Sequence, residues 1–132
     1  MKIKSVFLAI VILLAITATT AYAAYSSWNG SWRSIDIDGS KQQMNIGAGK
    51  QGVYKIKYLD HNATFCGGRI MRGKGTGTVG GDGKLHTDID MVCIGKPRTT
   101  VNDVDYMLVY NATTDTLTDQ WGVVWHRTRK NP

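Results

Sequence analysis

The chain has 132 residues, 42% hydrophobic and 20% charged, with a formal net charge of +6 and two cysteines. A single domain with a modest core is the expectation for that length. All ten acidic residues are aspartate, which removes a strong helix former, keeps a turn former and excludes a calcium loop closed by a bidentate glutamate.

Residues 1–23 have the layout of a secretory signal peptide: Lys2 and Lys4, an apolar run from Val6 to Ile16, and a small-x-small ending at Ala21-Tyr22-Ala23. The apolar run is shorter than the roughly 20 residues that a membrane-spanning helix needs, and retention of the segment as an anchor is the alternative. Cleavage before Ala24 is expected to leave residues 24–132 as a single domain, secreted or periplasmic and without a membrane contact. Loss of Lys2 and Lys4 lowers the cation count from 16 to 14 against 10 aspartates, so part of the basicity belongs to the export signal.

Beyond residue 24 no stretch keeps apolar residues at helical spacing, whereas short alternating runs recur, each bounded by turn formers. In chain order the predicted strands are Trp28 to Ile37, Gln42 to Ile46, Val53 to Leu59, Ala63 to Cys66, Arg69 to Val79, Lys84 to Cys93 and Thr99 to Tyr110. Thr116 to Asp119 and Gly122 to Arg127 follow as a pair that can run on through Trp121. Tyr54, Ile56 and Tyr58 share one face against Lys55 and Lys57, and Leu85, Thr87, Ile89, Met91 and Cys93 oppose His86, Asp88 and Asp90. The alternating glycines of Gly73-Lys74-Gly75-Thr76-Gly77-Thr78 permit sharp coiling or close backbone approach, and this segment does not open a helix as a phosphate loop does.

Short connections such as Asp38-Gly39, Gly80-Gly81-Asp82-Gly83 and Asn111-Ala112-Thr113 favour antiparallel neighbours. The expected fold is all-β, an up-and-down meander of about eight antiparallel strands in a small closed or nearly closed barrel, which removes exposed sheet edges. Cys66 and Cys93 are expected to form a disulfide outside the cytosol. Closing a loop of about 28 residues stabilises the fold by about 3.5 kcal/mol on the chain-entropy model.

Asn29-Gly30-Ser31-Trp32 on the first strand and Val124-Trp125-His126-Arg127 on the last resemble the calycin arrangement of lipocalins, avidins and small bacterial protease inhibitors. There a Gly-x-Trp sets its indole at the barrel base and a basic side chain near the C-terminus packs across it. The resemblance implies that Gly30 and Trp32 take the Gly-x-Trp part and that Arg127 lies over the indole, bonded to backbone carbonyls of the first or last strand. Trp125 reads as core. The chain is shorter than a lipocalin, which favours the smaller barrels over one with a lipid-sized cavity.

Trp28, ahead of the first strand, and Trp121, at a bend, are expected to be partly exposed and are the candidate binding residues. Asp36-Ile37-Asp38-Gly39-Ser40 reads as a hairpin turn. Asp88 with Asp90 and Asp103 with Asp105 place paired carboxylates on strand faces, as a glycosidase would need, though the alternation reads as an exposed face. His61, His86 and His126 lack metal-ligand spacing, and no nucleophile context accompanies them. The three Asn-x-Ser/Thr matches, at Asn29, Asn62 and Asn111, read as chance.

No base-reading motif accompanies the scattered cations, so nucleic acid is not the expected partner, and no cofactor is expected. The leading expectation is an exported non-enzymatic binding or interaction domain for an extracellular ligand or protein. A small secreted protease inhibitor and a hydrolase using the paired aspartates are the alternatives.

Overall fold

The structure is a computed structural model that describes residues 28–128. The signal segment 1–23 and the Ala24 start lie outside the described residues. Within them are nine strands: β1 (Gly30–Ile35), β2 (Lys41–Gly47), β3 (Val53–Ala63), β4 (Arg69–Val79), β5 (Leu85–Cys93), β6 (Thr100–Val104), β7 (Met107–Asn111), β8 (Thr116–Thr118) and β9 (Val124–Arg127). All pairings are antiparallel. The meander β1 to β5 continues through β7, β8 and β9, and β9 returns to β1, closing an eight-stranded barrel. β6 is the extra strand, and it shares the second edge of β5 with β7.

Alternation decides which side chains face inward. Tyr54, Ile56 and Tyr58 of β3 are buried while Lys55 and Lys57 are exposed, and Leu85, Thr87, Ile89, Met91 and Cys93 of β5 are buried while Asp88 and Asp90 are exposed. The interior is filled by Trp32, Met44, Tyr54, Ile56, Leu85, Ile89, Leu108, Leu117 and Trp125, all fully buried. Burying each such aliphatic side chain contributes about 1.5–3 kcal/mol. The glycines of β4 make this packing possible: a Cβ on Gly75 would collide with the Asp88 carbonyl, and one on Gly73 would come within 2.7 Å of the Ile89 side chain.

The bond between Cys66 and Cys93, with Cα atoms 5.5 Å apart, ties the β3–β4 connection to the end of β5. An oxidising, non-cytosolic compartment is where such a bond persists. Arg69 reinforces the same corner: its Nε donates to the Cys66 carbonyl at 2.9 Å and its Nη1 to the Pro97 carbonyl at 2.9 Å.

Three predicted strands are corrected. Ala63 to Cys66 is not a strand of its own: Ala63 ends β3, and Thr64–Cys66 is a single 3-10 turn capped by Gly67 at φ 63°. A left-handed residue there costs glycine little and reverses the chain into β4.

Thr99 to Tyr110 is interrupted rather than continuous. At the break, the Thr87 N–H is shared between the Tyr106 carbonyl and Asp105 Oδ1, both at 3.1 Å, and the Tyr106 N–H donates to the Thr87 hydroxyl at 2.9 Å, so side chains take over part of the ladder. Finally, β8 and β9 form a hairpin instead of running through Trp121. Asp119 builds the turn: its Oδ1 accepts the N–H groups of Trp121 and Val123, both at 3.0 Å, and its Oδ2 accepts the Trp125 indole N–H at 3.2 Å.

Candidate functional site

The barrel closes where the first and last strands meet, and only two register pairs, Trp32↔Arg127 and Arg33↔His126, join β1 to β9. Past Arg33 the strands part, and the Ser34 hydroxyl reaches across to donate to the Val124 carbonyl at 2.9 Å. The seam therefore has a closed end and an open end.

At the closed end Trp32 is fully buried, and its indole N–H donates to the Trp28 carbonyl at 3.1 Å. The guanidinium carbon of Arg127 lies 4.1 Å from the centre of the Trp32 ring. Its Nη1 donates to the Asn29 carbonyl, and its Nε donates to both Asp115 oxygens, at 3.1 and 2.9 Å. The Arg127 hydrogen bond holds the Asp115 carboxyl below the usual aspartate range, with the Tyr110 hydroxyl assisting. Gly30 makes room for this arrangement, because a Cβ there would sit 2.5 Å from Arg127 Nη1.

Trp28 corrects its expectation. It is 5% exposed, covered by Tyr110 with ring centres 6.0 Å apart, so it belongs to the core and offers no binding surface. Its place ahead of β1 suggested exposure, but the segment folds back under the closed end of the seam.

At the open end a groove of about 800 Å³ runs along the outer surface between β1, β2, β9 and the β8–β9 turn. Its apolar part is Ile35, Ile37, Trp121 and Val124, which are 67%, 85%, 56% and 42% exposed. Large apolar side chains clustered in a concavity at such exposure mark a recognition surface more than a random surface does. Trp121 is held by an edge-on contact with Tyr106, ring centres 5.2 Å apart.

The polar part contains Arg33, Lys41, His61 and His126, and the lining has no carboxylate. None of these four forms an ion pair among the described residues. A smaller recess of about 230 Å³ opens beside the groove onto Tyr106, Asp36 and Asp119. Tyr106 is buried there, which pushes its hydroxyl up to about 12, and burial pushes Tyr58 up as well.

Of the sequence-derived candidates, Trp32, Gly30 and Arg127 come together at the closed end, Trp125 is buried in the core beside Asp119, and Trp121 lines the groove. Asp36 to Ser40 is a hairpin turn: Asp38 Oδ1 accepts the Ser40 N–H at 2.9 Å, and a hydrogen bond from the Thr64 hydroxyl brings the Asp38 carboxyl down to about 2.

The paired aspartates lie away from the groove. Asp88, Asp90 and Asp103 bring carboxylate oxygens within 4.8 Å of one another, all exposed, while Asp105 faces His86. His86 also meets Asp82 at 2.9 Å, and that hydrogen bond raises its pKa.

Arg33, Ile35, Ile37, Lys41 and Val124 were not anticipated from the sequence, and neither was the convergence of His61 with His126. A signal was available: Ile35 and Ile37 fall on the same alternation phase as Arg33, the wet face, where two large apolar residues are out of place. No family model matches the chain, no curated protein matches it significantly, and no solved structure matches it significantly.

Proposed function

We propose that this chain is an exported, non-enzymatic binding domain and that the groove at the open end of the β1–β9 seam is its recognition surface. One observation carries the reading: Trp121, Ile35 and Ile37 are exposed together in a concavity of about 800 Å³ on a barrel whose interior is already filled. Ligand sites are concave, mostly apolar and furnished with a few polar groups, and the groove has that make-up.

A calycin-like ancestry belongs to the same reading. It is supported by the cation of Arg127 over Trp32 beside Gly30. Recognition on the outside of the barrel departs from a carrier that encloses its ligand.

The test is a screen of the protein against amphiphiles, glycans and extracellular peptides, followed by tryptophan fluorescence. Trp28, Trp32 and Trp125 are buried, so a ligand-induced change reports on Trp121. A saturable response in the parent protein, with binding weakened in Trp121→Ala and Ile37→Asp when followed by calorimetry, supports the reading. Ligands found only with sites unaffected by Trp121→Ala and Ile37→Asp would overturn it.

A further inference from the structure

We propose that the groove takes a small amphiphilic anion, a carboxylate carried on a single apolar chain, with the carboxylate held at the Arg33–His126 end and the chain lying toward Ile35, Ile37 and Trp121. This rests on the groove being the recognition surface.

The polarity of the groove follows from the register. Arg33 and His126 are direct partners across β1 and β9, on the last paired rung of the seam. Directly opposed side chains on one sheet face have Cβ atoms about 5 Å apart, so a single carboxylate can meet both. The apolar residues lie beyond that rung, where the strands part. Lys41, the partner of Ile35 across β1 and β2, flanks the chain's path with a second cation.

Arg33 has no carboxylate partner among the described residues, and the imidazole of His126 directly opposite it can donate a second hydrogen bond to an anion bound there. Arg69 and Arg127 differ, since each bonds backbone carbonyls or an aspartate that fix it in place. Two acidic groups, Asp36 and Asp119, line the adjoining recess at the apolar end. There Asp36 Oδ1 already accepts the Ile37 N–H at 2.7 Å, and both Asp119 oxygens hold the β8–β9 turn. The rung end thus offers two groups to an anion, whereas at the apolar end Lys41 is offset by Asp36 and Asp119 of the recess, and this difference orients the ligand.

The experiment titrates the full protein with decanoate, decanol and decyltrimethylammonium, three probes with the same chain and different head charge, by tryptophan fluorescence and calorimetry. A charge-assisted hydrogen bond makes decanoate bind about tenfold or more tightly than decanol, and decyltrimethylammonium gives no saturable response. Arg33→Gln weakens decanoate about tenfold and leaves decanol unchanged, with His126→Gln as a second variant acting in the same direction. Trp121→Ala weakens both decanoate and decanol.

Equal binding of decanoate and decanol overturns the ligand class, as does decanoate binding that ignores Arg33→Gln and His126→Gln. So does the absence of decanoate binding while another class gives a response dependent on Trp121. In those cases the groove stands as the recognition surface. Full-strength decanoate binding in Trp121→Ala overturns the groove as well.

Discussion

The two ends of one seam use the same residue types for opposite ends. At the closed end an arginine and a tryptophan, Arg127 and Trp32, are locked together, with the indole fully buried and the guanidinium bonded to Asn29 and Asp115. At the open end Arg33 and Trp121 are exposed and make few commitments. Composition does not distinguish the two pairs. What does is whether each side chain's hydrogen bonds and surface are already taken up within the fold, and the exposed pair is the one the proposed ligand would meet.

The largest test of this contrast compares the tryptophans. Trp32→Ala removes a fully buried indole and is expected to destabilise the fold by about 4 kcal/mol, whereas Trp121→Ala should cost less than about 1 kcal/mol. Urea unfolding of the two variants decides it, and similar losses would break the comparison.

Next in size, Cys66→Ala releases the loop closed by the bond to Cys93 and should cost about 3.5 kcal/mol. The disulfide lies outside the β1–β9 pairing, and its 3-10 turn reaches the groove only through the Thr64–Asp38 hydrogen bond, so this loss should leave the Trp121 fluorescence response to decanoate intact at temperatures where the variant is folded. A response that disappeared in the folded variant would mean that the groove is not set by the seam alone.

The arginines give a smaller difference. A desolvated cation on an indole contributes about 2 kcal/mol and a partly exposed ion pair up to about 1 kcal/mol, so Arg127→Ala should lower stability by about 2 kcal/mol. Arg33→Ala should stay within about 0.5 kcal/mol. Equal thermal shifts in calorimetry would place Arg33 in the structural class with Arg127.

The smallest effect is the share of the pH dependence that belongs to the closed end. The Asp115 carboxyl titrates lower in the folded chain than in the unfolded one, chiefly because Arg127 hydrogen-bonds its charged form. Its contribution is therefore complete above the unfolded value of about 3.9 and is lost as pH falls through the folded value. Asp115→Asn and Arg127→Ala should each flatten the acid limb of the stability profile, read by denaturant midpoints. Arg33→Ala should leave that limb unchanged.

Much of the barrel was legible because alternation is a local signal. Tyr54 to Tyr58 and Leu85 to Cys93 carry their own inward and outward faces, and the glycines of β4 announced close packing. Two of the three misread strands fall where side chains share the work of backbone partners. Asp119 turns the chain at Trp121, Thr87 and Asp105 interrupt the run ending at Tyr110, and neither substitution leaves a periodic trace. Trp28 was misjudged because what covers it, Tyr110, is distant in sequence. The groove escaped notice for a related reason: Ile35 and Ile37 broke the alternation visibly, but their company of Trp121, Val124 and His126 comes from the far end of the chain.

That distance also sets a timetable. The Arg127 contact with Asn29 spans 98 positions, so the barrel cannot close until nearly the whole domain has emerged. A chain delivered from its N-terminus has β1 waiting as an unpaired edge while each later strand is added, and unpaired edges are the sites where chains join the wrong neighbour. The last four-residue strand, β9, then acts as a latch. Losing it would leave both edges of an otherwise complete sheet open, so a short C-terminal deletion reaching into Val124–Arg127 should be tolerated far less well by the cell than its size suggests.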